Sequence, residues 1–331
     1  MSHGPGHLAT ERPAFSNSRW KKIYERERER EREKMIDFDF KIYKKNIFSQ
    51  SGEDGIIEEI FKRLNDVSDK KCCEFGAWDG KFWSNTCNLI TNHNYEAILI
   101  EADKKKFDEL NINFPDKKIT KINRFVNFSG ENSLDNILEN NFFNKDFDFL
   151  SIDIDGCDYW IFESLSKFTP KVICIEFNPS IPNKCEFVQE KNMKIKQGSS
   201  AKSMIDLGLK KNYFPIASTD LNLFFIHNRF KKILTNVDEY DIDQLLPNSN
   251  DNYIYCGYDG TVFTSKPLNL IWHNMLVKKI KILPKILNAY PGDYNIFQKI
   301  VFKFFKFIYN PIKYVSKLKY YLKGLFTRFL R

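Results

Sequence analysis

From residue 36 onward, short apolar runs alternate with stretches whose apolar residues recur every three to four positions. That alternation predicts a largely parallel sheet with helices packed on its faces. The strand-like runs fall at 71–75, 97–101, 119–126, 147–153, 171–177, 213–218 and 221–227. Helical stretches lie between them near 84–93, 103–113, 132–140, 158–167 and 201–211. An earlier helix is expected in FSQSGEDGIIEEIFKRL, with Ser51 as N-cap and Ile56, Ile57, Ile60, Phe61 and Leu64 on one face. The last two strands, YFPIAST and LNLFFIH, are too close in sequence for a crossover helix and are expected to pair antiparallel. The predicted architecture is five parallel strands closed by a C-terminal antiparallel hairpin.

Composition adds two constraints. The net charge of +8 is not spread evenly: residues 275–331 carry thirteen Lys or Arg against Asp293 alone, so the rest of the chain is mildly acidic. An acidic body argues against a nucleic-acid partner, which would call for basic residues around the cleft. Seven cysteines, none in a paired CxxC spacing, predict reduced thiols rather than a disulfide frame or a zinc site. No segment has the form of a signal peptide or an uncharged membrane span, so a cytoplasmic protein is expected. Residues 1–34 end in YEREREREREK, which offers no apolar face. This leader is expected to be disordered or a solvated helix, with Met35 as the functional start. Its deletion should leave folding and activity intact, and aggregation of the shortened chain would refute that.

The chemistry-bearing residues gather where strands end. CCEFGAWDG runs from a strand through Glu74 to Gly76 and Gly80, then into a helix. Such a turn lets a backbone approach a ligand closely. The next strand, AILIEAD, ends at Glu101, 27 residues after Glu74, where a carboxylate is placed to accept hydrogen bonds from two ribose hydroxyls. LSIDIDG places Asp153 and Asp155 at the end of the fourth strand, on the same carboxyl edge. Each motif also has a bland reading: a plain strand-turn-helix, or a carboxylate capping the helix that begins at Asp103.

Taken in order, SQSGEDG, EFGAWDG with SNT after it, LIEAD, DFLSIDIDGCDYW and VICIEFNPSIP resemble the FkbM-type branch of the class I S-adenosylmethionine-dependent methyltransferases, over residues 48–228. The resemblance implies a Rossmann-like doubly wound sheet of seven strands flanked by helices. It also implies S-adenosylmethionine as cofactor and methyl transfer to an oxygen, such as a hydroxyl on a sugar, glycan or related metabolite. By the same resemblance Glu74, Gly76 and Gly80 would line the methionine part, Glu101 would hold the ribose, and Asp153 would sit by the methionine amine. Ala77, Trp78 and Ala102 complete the expected cofactor set. FkbM-type sequences often carry Asp-x-Glu-Gly where this chain has Asp153-Ile-Asp155-Gly156.

A hydroxyl acceptor needs a group to take its proton. The candidates at the carboxyl edge are Asp155, Asp158, Glu176 and His227: Asp155 is favoured, then Glu176, with Asp158 and Asn178 as orienting groups, while His227, a lone histidine at a strand end, reads more naturally as structural. Trp78 and Tyr159 are the aromatics best placed by sequence to stack on a ligand. Gln50 and Glu53 form either a helix cap or part of a lid. No metal ligand set is assigned, although Asp153, Asp155 or Glu176 would suit a divalent cation in a metal-assisted variant. The rival reading is a metal-dependent glycosyltransferase that holds a sugar nucleotide through Asp153-Ile-Asp155. A third reading, a binding module with an empty pocket, is disfavoured by the intact motifs.

The domain plan is a leader (1–34), a cofactor-binding domain (35–230), an appendage (231–289) and basic amphipathic helices (290–331). In the tail, Phe297, Ile300, Val301, Phe304 and Ile308 share a face opposite Lys299, Lys303 and Lys306. Tyr314, Leu318, Tyr321, Leu322, Leu325 and Phe329 repeat the pattern against Lys313, Lys317, Lys323 and Arg328. Such helices suit an anionic membrane surface on its cytoplasmic face, or docking on the protein or a partner chain.

Overall fold

The computed structural model describes residues 39–141, 144–247, 251–309 and 311. They form two compact units divided between residues 249 and 250. The leader 1–34 and the second tail segment, 312–331, lie outside the described residues.

The first unit is built on a seven-stranded sheet of order β3-β2-β1-β4-β5-β7-β6. Its strands are β1 (Lys71–Phe75), β2 (Glu96–Glu101), β3 (Ile119–Asn123), β4 (Phe149–Ile152), β5 (Val172–Glu176), β6 (Tyr213–Ser218) and β7 (Asn222–His227). β1 to β5 are parallel, and β7 runs antiparallel to both β5 and β6. The seven strands and the closing hairpin therefore match the expectation. The chain winds outward from β1 through β2 to β3, then crosses to β4 on the other side of β1. The loops leaving β1 and β4 diverge there and open a crevice at the carboxyl edge.

Both faces of the sheet are covered, which is why its strands read as continuous apolar runs. One face carries Cys73, Phe75, Ile98, Ile100, Leu150, Ile152, Ile173 and Ile175. They pack with Ile161 and Phe162 of helix α5 (Asp158–Ser164) and with Met204 and Ile205 of α6 (Ala201–Lys210). Alternate residues, Cys72, Leu99, Phe149, Val172 and Cys174, pack with Ile56, Ile57 and Ile60 of α1 (Glu53–Arg63). Each of those three isoleucines is fully buried and contributes about 1.5–3 kcal/mol. The remaining helices of the unit are α2 (Cys87–His93), α3 (Lys104–Asn113), α4 (Leu134–Asn140), and the single turns α7 (Lys231–Leu234) and α8 (Ile242–Leu245).

Three details depart from the sequence reading. The N-cap of α1 is Gly52, in a left-handed conformation at φ +99, and not Ser51. A Cβ at residue 52 would stand 2.7 Å from Cβ of Lys44, so only glycine enters the helix by this route. Helix α2 begins at Cys87 rather than near residue 84, because residues 84–86 turn their donors toward Glu74. Residues 231–247, expected in the appendage, bury Leu234, Leu245 and Leu246 in the two cores of the first unit.

The second unit contains a three-stranded antiparallel sheet of order β10-β9-β8, formed by β8 (Ile254–Cys256), β9 (Thr261–Leu270) and β10 (Met275–Lys281). Helix α9 (Ile296–Tyr309) follows. Among the described residues, no helix is long and apolar enough to cross a membrane. All seven cysteines are free, five of them buried.

Candidate active site

A cleft of about 260 Å³ opens at the carboxyl edge of the sheet, just below the usual range for small-molecule sites. After β1 the chain turns at Gly76, φ +84, and the N–H groups of Gly76 and Ala77 both donate to the Ile100 carbonyl at 3.1 Å. A Cβ on Gly76 would lie 1.8 Å from the backbone oxygen of Asp153. Glycine at this position is what allows the backbones at the ends of β1 and β4 to lie this close before their loops part.

Glu101, at the tip of β2, is held by two backbone donors. Its Oε2 accepts from the N–H of Trp78 at 2.8 Å, and its Oε1 accepts from the N–H of Asp103 at 2.6 Å. A carboxylate has about four lone-pair sites, so both oxygens keep capacity for hydroxyl donors from a ligand. Trp78 adopts φ +51 and stays half exposed at the cleft, with the Lys106 ammonium 4.6 Å from its ring centroid. Ala102, Phe125 and Val126 continue this wall.

The opposite wall is acidic. Asp153, Asp155 and Glu176 each present a carboxylate oxygen within 4.8 Å of the others. Burial, reinforced by Asp158 and Asp155, pushes the Asp153 carboxyl up to about 8. Burial and then Asp153 push Glu176 up to about 10, and Lys196 pulls the other way. Among the described residues no hydrogen-bond donor reaches the Asp153 carboxylate. Such a wall takes up positive charge: a bound ammonium, sulfonium or divalent ion draws the Asp153 and Glu176 carboxyls back down. Hard carboxylate oxygens at this spacing are also able to hold Mg²⁺ or Mn²⁺.

Asp158 shapes this wall from behind. It is buried, and its two oxygens accept the N–H groups of Ile154 and Gly156, each at 2.9 Å. Burial pushes its carboxyl up to about 6 against those two backbone donors. The folded-back loop leaves Asp155, φ +54, exposed on the cleft.

A third side comes from the loop between β5 and α6. Gln189 gathers it: Oε1 accepts the N–H groups of Gln197 (2.9 Å) and Gly198 (2.8 Å), and Nε2 donates to the Ile195 carbonyl at 2.9 Å. Trp160 Nε1 donates to the Gln189 carbonyl at 2.8 Å, and Asn178 Nδ2 to the Gln197 carbonyl at 2.7 Å. Met193, Ile195 and Lys196 thereby line the cleft, with Lys196 Nζ donating to the Ile154 carbonyl at 2.8 Å.

The structure brings Gly76, Trp78, Glu101, Ala102, Asp153 and Asp155 to one cleft, and Glu176 joins through its carboxylate neighbours. It does not bring the rest. Glu74 is buried away from the cleft lining and accepts from Ser84 Oγ (2.6 Å), the Asn85 N–H (2.8 Å) and Thr86 Oγ1 (2.7 Å). Gly80 serves packing: a Cβ there would meet Leu110 at 2.5 Å and Phe114 at 2.6 Å. Ala77 packs into the core on the α1 side, and Tyr159 against the opposite core. Glu53 accepts from Thr219 Oγ1 at 2.6 Å and from Asn222 Nδ2 at 3.2 Å, while Gln50 is exposed.

His227 was placed at the carboxyl edge by its position at a strand end, and this is corrected. β7 runs antiparallel, so its last residue lies at the amino edge, where the His227 N–H donates to the Lys171 carbonyl at 2.9 Å. Conversely, Phe125 and Val126, expected within the strand-like run 119–126, lie past the end of β3 at Asn123 and line the cleft; Cys157 sits in a motif that pointed only to its aspartates; and Met193, Ile195 and Lys196 carried no sequence signal, because loop residues lack a periodicity that marks what they face.

Residues 130–213 match the family model described as Methyltransferase FkbM domain. The matched stretch includes Asp153, Asp155, Asp158 and Glu176 and leaves Glu74 to Glu101 outside. No curated protein sequence matches the chain. Among solved structures, similarity extends to a candidate sarcosine dimethylglycine methyltransferase from Galdieria sulphuraria, at 12% identity and TM-score 0.35, covering 49% of this chain and 62% of that one. A candidate caffeoyl-CoA O-methyltransferase from Staphylococcus aureus matches at 14% identity and TM-score 0.34, covering 51% and 81%. A SAM dependent methyltransferase from Aquifex aeolicus matches at 9% identity and TM-score 0.32, covering 52% and 89%. The chain thus spans less than two thirds of the first of these proteins, and likenesses this weak carry no argument about activity.

Proposed function

We propose that this chain, whose residues 130–213 carry an FkbM-type methyltransferase domain, is an S-adenosylmethionine-dependent methyltransferase acting on a hydroxyl of a sugar, glycan or related metabolite. The observation that carries the reading is the pairing across one cleft of a backbone-fixed Glu101 with an acidic wall headed by Asp153. Glu101 offers acceptors for a ribose diol, Trp78 and Phe125 offer apolar surface for a base, and Asp153 has an unmet need for a cationic donor. When bound, S-adenosylmethionine supplies an electrophilic methyl on a sulfonium, and the chain has to supply alignment and a destination for the acceptor's proton.

For that destination we assign Asp155, which is exposed on the cleft beside Asp153. Glu176 is held protonated at neutral pH while the wall lacks a positive partner, so it serves first as a hydrogen-bond donor to an acceptor oxygen. Asp158 acts through the loop and is a positioning residue. A wall of closely spaced carboxyls that can both donate and accept offers hydrogen bonds to hydroxyl groups, which favours a polyhydroxyl substrate.

Calorimetry tests the cofactor half of the reading. S-adenosylmethionine should bind in the presence of a chelator, and a sugar nucleotide with Mn²⁺ should not. The reverse result would replace the proposal with a glycosyltransferase. Transfer of a labelled methyl group to a pool of sugars and glycans, reduced about tenfold or more in Asp155→Asn, tests the acceptor half.

A further inference from the structure

The second unit exposes apolar side chains on two elements at once. In the β9–β10 hairpin, Met275 pairs with Leu270 and Val277 with Leu268, and the tip reads Leu270-Ile271-Trp272-His273-Asn274-Met275-Leu276. Its five large apolar residues are all exposed, Trp272 at 57% and Leu276 at 68%. This exposure is built in rather than frayed. Ile271–His273 forms a 3₁₀ turn, closed by Asn274 at φ +50 with its N–H on the Ile271 carbonyl at 3.2 Å.

Behind the tip stand Lys266, Lys278, Lys279 and Lys281, and no acidic residue occurs between Asp259 and Asp293. Helix α9 repeats the chemistry: Phe297, Ile300, Phe304 and Ile308 are exposed, with Lys299, Lys303 and Lys306 on the other side. Soluble surfaces rarely leave contiguous apolar side chains in water without a partner. A tryptophan-bearing apolar tip ahead of a collar of lysines matches a bilayer interface, where indoles settle at headgroup depth and lysine stems reach back to anionic headgroups.

We propose that the β9–β10 tip and helix α9 together insert into the surface of an anionic lipid leaflet, with Trp272 and Leu276 at the acyl boundary and Lys278, Lys279 and Lys281 among the headgroups. The tip is the new element of this surface, since the sequence pattern pointed only to the tail helices.

Flotation of the full chain tests the proposal, using vesicles of phosphatidylcholine alone and of phosphatidylcholine mixed with phosphatidylserine. The protein should float with the mixed vesicles and be released by salt. Trp272→Ser combined with Leu276→Ser should lower partitioning by about tenfold or more, because two large apolar side chains no longer leave water. Lys278→Glu with Lys279→Glu should remove the preference for phosphatidylserine. Brominated lipid should quench tryptophan fluorescence in the native chain and less in Trp272→Phe. Both double variants change exposed side chains and should keep the native melting temperature and cofactor affinity, so this test stands apart from that of the enzymatic reading. Recovery of the native chain in the soluble fraction would overturn the proposal, as would unchanged flotation of the tip variant. Loss of a native oligomer in the tip variant with lipid binding intact would assign the tip to a second copy instead.

Discussion

Replacing Asp153 with asparagine should stabilise the free protein while crippling its cleft. Burial and neighbouring carboxylates hold the Asp153 carboxyl up at about 8, against about 3.9 in an unfolded chain. A carboxyl raised on folding leaves stability intact below the unfolded value. That stability is lost progressively as pH climbs from about 4 to about 8, because the unfolded chain releases the proton first. At about pH 7 the loss spans roughly three pH units, a ceiling of about 4 kcal/mol. Asparagine removes the titration but brings an amide that finds few partners, a cost of about 1–3 kcal/mol. The expected net gain is about 1–3 kcal/mol, or roughly 2–10 °C in melting temperature for a unit of this size. Thermal denaturation of Asp153→Asn and the native chain at about pH 4, 6 and 8 checks this. The variant should be the less stable of the two at the acid end, by the cost of its amide, and should overtake the native chain as pH rises, while calorimetry shows cofactor affinity reduced at least about tenfold. A difference in melting temperature that does not vary with pH, or a variant less stable at neutral pH, would refute the reasoning.

Gly76→Ala should cost more than about 3 kcal/mol, since its Cβ would meet the Asp153 backbone oxygen and φ is +84; urea denaturation measures it. Asp148 is fully buried, accepts from Lys171 Nζ at 2.7 Å and from the N–H groups of Asp69 and Lys70, so Asp148→Ala should cost about 3–5 kcal/mol in the same assay. Burial alone would raise the Asp148 carboxyl, but hydrogen bonds from Asp69, Lys171 and Ser68 hold it below its usual value. Its contribution is therefore present above about pH 4 and disappears as pH falls further, which an acid titration of the native chain against Asp148→Ala should show. Glu101→Gln turns an amide N–H₂ toward one of the two backbone donors, and should weaken cofactor binding about tenfold while costing about 1–2 kcal/mol of stability.

The acidic wall and the rigid glycine turn show how much of the site was readable beforehand. Glu101, Asp153 and Asp155 were found because each follows an apolar run, and a run that ends in a carboxylate marks both a strand and its carboxyl edge. Glu74 also closes such a run, and the family resemblance implied that it lines the ligand. It lies one residue before the strand's end, however, on the α1 face, where residues 84–86 consume its hydrogen bonds. Gly80 looked like part of a ligand loop, and its requirement proved to come from Leu110 and Phe114.

What the sequence alone determined is the set of seven strands, the helices between them and the antiparallel close. Those depend on local periodicity and on the length of each connection. The direction of β7 was implicit in that short connection, yet its consequence for His227 emerged only once β7 was seated against β5. The third wall of the cleft, from Met193 to Lys196, and the hairpin tip at Trp272 were decided by tertiary structure. Both are loop segments whose surroundings are set by hydrogen bonds to residues distant in the chain or by the closing of a hairpin. No pattern of nearest neighbours records which side chains such contacts will turn toward a ligand or leave in water.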